Sequence, residues 1–430
     1  MSTLTATERA EIRSMARELA HRELAPRAAA LDAGGQDVLA QCWRLLAGLG
    51  LDRALLAEEH GGSAVGVPGL LATLEELAVG DGAVAMCVLL CNAALATFTG
   101  DQLADVPAGA RWALVPAAPG AEVTISDGQL DGRIACALGA HDADGLVFLL
   151  DTPEPAVPAV SAGAAGLRVE RDLAQMGLRA APAASVELAR VDCAPAPGES
   201  GAQSAAVRVA GALALLRAGT AAIAHGIARR AYQMALEYAR ARQQGGVAII
   251  AHDAVSDMLS AMAVRLACWP QISADPAGLA VEEAQALAVK IAATDAAVAS
   301  TTDAVQVFGG TGYMVETGIE KLMRDAKYCQ LFPEPNWVAH NELMRSERAG
   351  RTAMKAGANA AAPVCFGSRL SGNCGHVAGT GRPRRAARAP AGPPHRRLPG
   401  RPGGREQAAQ HGPRLPRRPD RVRRLPRQRR

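Results

Sequence analysis

The segment from Asp303 to Trp337, DAVQVFGGTGYMVETGIEKLMRDAKYCQLFPEPNW, limits what this chain can fold into more tightly than any other part of it. Gly309, Gly310 and Gly312 have no side chains to block close approach. Their amides are either a cradle for an anion such as a pyrophosphate or a plain glycine-rich helix break. The residues that follow read as a helix. Ile319, Leu322, Met323 and Ala326 recur at helical spacing and form a buried face. Glu320 with Arg324, and Lys321 with Asp325, are i,i+4 pairs expected to lace the opposite, solvated face. Pro333 and Pro335 then bracket Glu334, so this acid sits on a stiff non-helical turn. A glycine cradle, an ion-paired helix and an isolated carboxylate together suit a cofactor and a general base.

The flanking sequence falls into blocks. Residues 1–108 carry helical patterns, including a stripe of Ile12, Met15, Ala16 and Leu19 and two buried helices between Gly69 and Leu95. From 109 to 196 the pattern changes to strands. Val123 and Ile125 alternate with polar residues before an Asp127-Gly128 turn, Leu146 to Leu150 is continuously apolar, and Val186, Leu188, Val191 and Cys193 suggest a bulged strand. Helices return over 197–352, where Leu216, Ile223, Ile227, Met234 and Tyr238 mark one long amphipathic helix. The expected fold is mainly α, with a small central β domain and a C-terminal helix bundle. Aromatic residues make up 3% of the chain, which also favours packed helices over a large β sandwich.

Residues 353–430 are of another character. From Gly381 on there are 17 arginines, no lysine and two acids, a local charge of +15 against +4 for the whole chain. Three readings stand: a nucleic-acid-binding arm, functionless disorder, or out-of-frame translation of GC-rich DNA, the last fitting arginine, proline and glycine without lysine. Nucleic acid is not expected as a partner. The nine cysteines show no CxxC pair, so reduced thiols, a cytoplasmic setting and no metal site are expected. No apolar leader and no uninterrupted apolar run of spanning length is evident, so no membrane partner is expected.

DAVQVFGGTGY followed by EKLMRDAK resembles the C-terminal signature of the acyl-CoA dehydrogenase flavoprotein family. AEEHGGSAVG and LLATLEELA are similar to that family's N-terminal turn and the EELA helix after it. MGLRAAPAASVELARVDC, Met176 to Cys193, resembles the strand pair closing its β domain. ALEYARARQQGG with AHDAV resembles the helix and loop of its R-x-x-FG motif. The resemblance spans roughly residues 5 to 350, in order, and implies an α–β–α arrangement.

It also implies a chemistry. Members oxidise an acyl thioester to its α,β-enoyl form, a carboxylate taking the α-proton while FAD accepts the β-hydrogen. For this chain the resemblance implies an FAD-dependent dehydrogenase of an acyl-CoA or acyl-carrier-protein thioester. Electron-transfer flavoprotein or oxygen would be the acceptor. The FAD-binding residues would be Arg242, Gln306, Gly309 and Gly310, the arginine from one subunit and the QxFGG segment from its neighbour. That implies a homotetramer or dimer, or a hetero-oligomer with a paralogue.

The departures are local. The family's T-E-P-x-A-G-S-D stretch is replaced by LVPAAPGAEVT at Leu114 to Thr124, and its W-I-T segment by Ala135, Cys136 and Ala137. The β domain is shortened. The family's catalytic glutamate falls on Pro333, with Glu334 one place later. Its other base location, on the long helix, falls on Leu216, beside Arg217. Glu334 is therefore the candidate base and Arg217 the candidate substrate contact; the plainer reading of Glu334 is an exposed loop acid. His340 is either a second proton acceptor or a solvent-facing histidine. Two other functions remain open: a non-catalytic subunit paired with an active paralogue, and a flavin oxidase or monooxygenase on the same fold.

Overall fold

The computed structural model describes residues 5–98, 100–117, 122–151, 154–170, 173–193, 204–269 and 283–348. The expectations for the arginine-rich tail, and part of the LVPAAPGAEVT stretch, lie outside the described residues.

The N-terminal helices are α1 (Ala6–Leu19), α2 (Ala28–Asp32), α3 (Gln36–Gly48), α4 (Gly66–Gly80), α5 (Gly82–Leu95) and the short α6 (Gly100–Ala104). Thr5 and Glu8 form a capping box at the start of α1. Asp81 caps α5, its carboxylate accepting from the amides of Ala83 and Val84 at 2.9 and 3.0 Å. Every residue of α5 is buried. A helix apolar all round must sit inside a layer of others, and this one carries the centre of the largest core.

The β layer is built from β1 (Trp112–Pro116), β2 (Glu122–Ser126), β3 (Gln129–Ala137), β4 (Gly145–Leu149), β5 (Ala159–Ser161), β6 (Leu167–Glu170) and β7 (Ala184–Asp192). These make two sheets, β1-β4-β5 and β2-β3-β7-β6. The first pairs β1 and β4 in parallel, and β4 is buried throughout, as the unbroken apolar run requires. Asp127 and Gly128 both adopt left-handed φ in the two-residue turn of the β2–β3 hairpin. The bulge in β7 lies at Arg190, φ 51°. A separate core of Val115, Leu130, Ile134, Phe148, Val186 and Val191 fills this layer.

One expectation fails here. Met176 to Cys193 is not a strand pair: strand structure begins at Ala184, and the preceding residues form a turn. The backbone groups of that turn are satisfied by a helix instead of a ladder. Leu178 N–H donates to the Asp325 carboxylate at 2.6 Å, and Arg324 donates to the Met176 carbonyl at 2.7 Å. A Cβ on Gly177 would lie 2.3 Å from the Arg324 carbonyl oxygen, so glycine permits the approach.

The C-terminal helices are α7 (Ala205–Ala241), α8 (Asp253–Ala267), α9 (Glu283–Phe308), α10 (Ile319–Cys329) and α11 (Asn336–Arg348), with a small β8–β9 ribbon (Gln243–Gln244, Val247–Ala248) after α7. By length and composition α7 alone among the described helices could cross a membrane, but 67% of its apolar window is buried inside the protein. It is a core helix. A Cβ on Gly226 would lie 2.2 Å from the Glu75 carbonyl oxygen, so α4 and α7 cross at near backbone contact.

Buried ion pairs join the layers. Glu75 and Glu76 of α4, almost fully buried, meet Arg13 and Arg17 of α1 and Arg229 of α7 at 2.5–3.1 Å. The charges of α10 are a second correction. Both expected i,i+4 pairs form, but neither faces solvent. Lys321 bridges Asp325 at 2.5 Å and Asp81 at 3.0 Å with all three groups buried, and Arg324 bridges Glu320 at 2.5 Å and Asp32 at 2.6 Å. The helix is anchored on both faces because acids from α2 and the α4–α5 junction meet its cations.

Candidate active site

Glu334 lies on the turn between α10 and α11, as its flanking prolines require, yet its side chain points inward and is nearly buried. It is not an exposed loop acid. Arg217, in the N-terminal half of α7, donates its Nε–H to both oxygens of Glu334 at 3.2 and 3.4 Å. The same guanidinium donates to Glu283 at 3.2 Å and to Glu342 at 3.0 Å. Three carboxylates thus share one cation that is itself 3% exposed. Burial pushes the Glu342 carboxyl above its ordinary range; Glu334 and Glu283 add to that push, against the pull of Arg217. Leu216, the alternative base position, is fully buried and apolar.

Behind the turn stands Lys290 of α9, also fully buried. It donates to the Glu334 carbonyl at 2.5 Å, the Asn336 side-chain oxygen at 2.7 Å and the Gln330 carbonyl at 3.3 Å. Its burial brings the ammonium down to about 8.

The glycine segment lies at the other end of α9. Gly309 (φ 60°) and Gly310 are exposed, and a Cβ on either would meet nothing within 4 Å. Their backbone is open to an incoming anion. Gly312 differs: its Cβ would lie 2.4 Å from the Val305 carbonyl oxygen, so packing accounts for that glycine. Gln306 is exposed on the last turn of α9, and Arg242 is exposed at the C-cap of α7. Tyr238, one turn before Arg242, stacks on Phe308 with centroids 4.2 Å apart. That stacking sets the end of α7, which carries Arg242, beside the end of α9, which carries Gln306 and leads into Gly309 and Gly310, some way along α7 from Arg217 and Glu334.

Two family descriptions match the chain: "Acyl-CoA dehydrogenase, N-terminal domain" over residues 6–103 and "Acyl-CoA dehydrogenase, C-terminal domain" over residues 207–333. The cyclohex-1-ene-1-carbonyl-CoA dehydrogenase of Geobacter metallireducens is 30% identical over 359 residues, covering 75% of this chain and 93% of that protein. The chain belongs to the acyl-CoA dehydrogenase family. It is an oxidoreductase of the kind that acts on CH–CH groups. The L-prolyl-[peptidyl-carrier protein] dehydrogenase of Pseudomonas fluorescens is 32% identical over 234 residues, which are 50% of this chain and 60% of that one. The structure of butyryl-CoA dehydrogenase from Megasphaera elsdenii superposes with a TM-score of 0.69 at 24% identity, over 81% of this chain and 100% of the other, a likeness of fold.

Within this acyl-CoA dehydrogenase fold the residues present fit FAD at its ADP end, where the open glycine backbone and Arg242 would take the pyrophosphate. At the ring end the chain offers less. Ala135 and Cys136 are exposed at the end of β3, and the Cys136 thiol stands 3.9 Å from the Tyr328 hydroxyl of α10. Burial pushes that phenol well above its usual range. His340 is exposed on α11, which is the solvent-facing reading. Sequence reasoning missed Glu283, Glu342 and Lys290. Of these only Lys290 left a signal, as a lone cation inside the apolar run ALAVKIAA.

Proposed function

We propose that the protein is an FAD-dependent dehydrogenase of an acyl thioester, with Glu334 as the base that takes the α-proton. The observation that carries this reading is the burial of Glu334 against Arg217. An α-proton beside a thioester is weakly acidic, so its base must be desolvated and held in place. The Arg217 Nε–H holds the Glu334 carboxylate in place, and Glu334 works as base once it turns from Arg217 toward the substrate. Arg217 keeps Glu283 and Glu342 as counter-charges, and its Nε–H is then free for the substrate. FAD, when bound, supplies the acceptor for the β-hydrogen.

The carrier is CoA or a carrier protein, since the named relatives include enzymes of both kinds. Electron-transfer flavoprotein or oxygen is the proposed acceptor of the electrons. A homo-oligomer is supported by apolar side chains left exposed beside Gly309 and Gly310, Tyr313 at 86% and Val315 at 71%. Unpaired thiols at Cys42, Cys87, Cys91, Cys136, Cys193 and Cys329 support a cytoplasmic setting.

The test is spectroscopic. The purified protein is expected to be yellow, or to turn yellow with added FAD, and to bleach anaerobically with at least one thioester from a panel of straight-chain, cyclic and aminoacyl substrates on CoA and on carrier protein. A protein that takes up no FAD would sink the proposal.

A further inference from the structure

We infer that Lys290 is a positioning residue for Glu334, fixing the backbone of the α10–α11 turn against α9 so that the carboxylate can move while its main chain stays still. The inference rests on the reading of Glu334 as base. An ammonium has three N–H donors, and Lys290 meets three acceptors, all on that turn or at its end. One of them is the carbonyl of Glu334 itself. The same face of α9 continues the attachment: the Asn336 amide donates to Thr294 at 3.0 Å and Asp295 at 2.7 Å, and the Gln330 amide donates to Asp295 at 2.6 Å. The turn is therefore sewn to α9 through backbone and amide groups, while the Glu334 side chain is held separately, by α7.

Packing alone does not call for a cation here. A buried ammonium facing neutral oxygens costs free energy that a methionine or leucine among Ala286, Leu287 and Ile291 would not. What the cation adds is a threefold grip on the turn. The grip is titratable. The titratable groups around it are Glu334 on the turn, the Cys329 thiol at the end of α10, Arg217 on α7 and Asp295 on its own helix; burial and Arg217 favour loss of the proton, and the carboxylates of Glu334 and Asp295 oppose it, while burial keeps Cys329 an uncharged thiol. A neutral amine keeps two N–H donors for three acceptors, so one oxygen loses its partner.

Hydrogen–deuterium exchange of the full chain between pH 7 and 9.5, corrected for the intrinsic base-catalysed rate, tests this directly. Peptides covering residues 330–338 are expected to exchange about tenfold faster above pH 8, with α7 and α9 unchanged. Lys290→Arg, which stays charged, should lose that step, and Lys290→Met should show the faster exchange at every pH. On a thioester that bleaches the wild type, Lys290→Met should lower kcat about tenfold, leave KM within about twofold and lose any alkaline limb near pH 8, with Lys290→Arg restoring part of kcat. Exchange in the turn that is independent of pH in the wild type overturns the inference, as does loosening spread evenly over α9 and α10. If Lys290→Met does not fold, the wild-type pH series and Lys290→Arg still decide. If no thioester bleaches the wild type, the dehydrogenase reading fails while the exchange data still judge Lys290.

Discussion

Arg217 and Glu334 stand 117 positions apart in the chain and meet at 3.2 Å, guanidinium to carboxylate, in the protein interior. One sits in the N-terminal half of α7 and the other on a proline-flanked turn, so their contact exists only where α7, α9 and that turn converge. Because Glu283 and Glu342 share the same guanidinium, Glu334 can leave without stranding the cation.

Substituting Glu334→Gln keeps the shape and an acceptor for Arg217 but removes the base. Flavin binding should persist, while the rate of anaerobic bleaching falls by about 10²–10⁴ in stopped-flow measurements. Bleaching within tenfold of wild type would move the base elsewhere, with Glu342 the next candidate.

Arg217→Leu leaves Glu334 and Glu342 inside the protein without their cation. Loss of one partner of a buried ion pair costs about 3–5 kcal/mol, which urea unfolding should report. Arg217→Lys restores the charge without the fork and should recover part of that stability. A loss below about 1 kcal/mol would mean that the cluster is reached by water.

Acid should weaken the α1–α4–α7 junction. Burial raises the Glu75 carboxyl, but His225, Arg13 and Arg229 outweigh it and hold the group at about 2, against an ordinary 4.5. A depressed carboxylate contributes stability that is complete above pH 4.5 and is lost as pH falls toward 2. The loss attributable to Glu75 should be of order 3 kcal/mol, seen as a pH-dependent melting temperature that is flatter in Glu75→Gln.

Two glycines just past the end of α9 should behave oppositely. Gly312→Ala forces a methyl toward the Val305 carbonyl and should destabilise the fold by about 1–3 kcal/mol. Gly310→Ala meets nothing in the chain, so thermal stability should hold while FAD affinity drops in a flavin titration. Unchanged affinity would remove Gly310 from the cofactor cradle.

Much of the fold was legible because it is local. Helical periodicity marked α4, α5, α7 and α10, and the Asp127-Gly128 turn marked the β2–β3 hairpin, since these follow from backbone geometry within a few residues. The segment from Met176 to Ala183 was misread because its backbone partners lie on α10, far along the chain. The spacing of Glu320, Lys321, Arg324 and Asp325 told which charges pair, but not which way they face. Arg324 reaches Asp32 across 292 positions, and no local pattern carries that distance.

The candidate site divides in the same way. By itself the sequence determined that Glu334 sits on a rigid turn, that Gly309 and Gly310 permit close approach, and that the chain is mainly helical with a β insert. Only the tertiary structure decided that Glu334 points inward to Arg217, that Glu283 and Glu342 join them, and that Lys290 grips the turn from behind. Backbone conformation responds to neighbours in sequence. The setting of a charge is fixed by which helices bury it together, and that is a property of the assembled core.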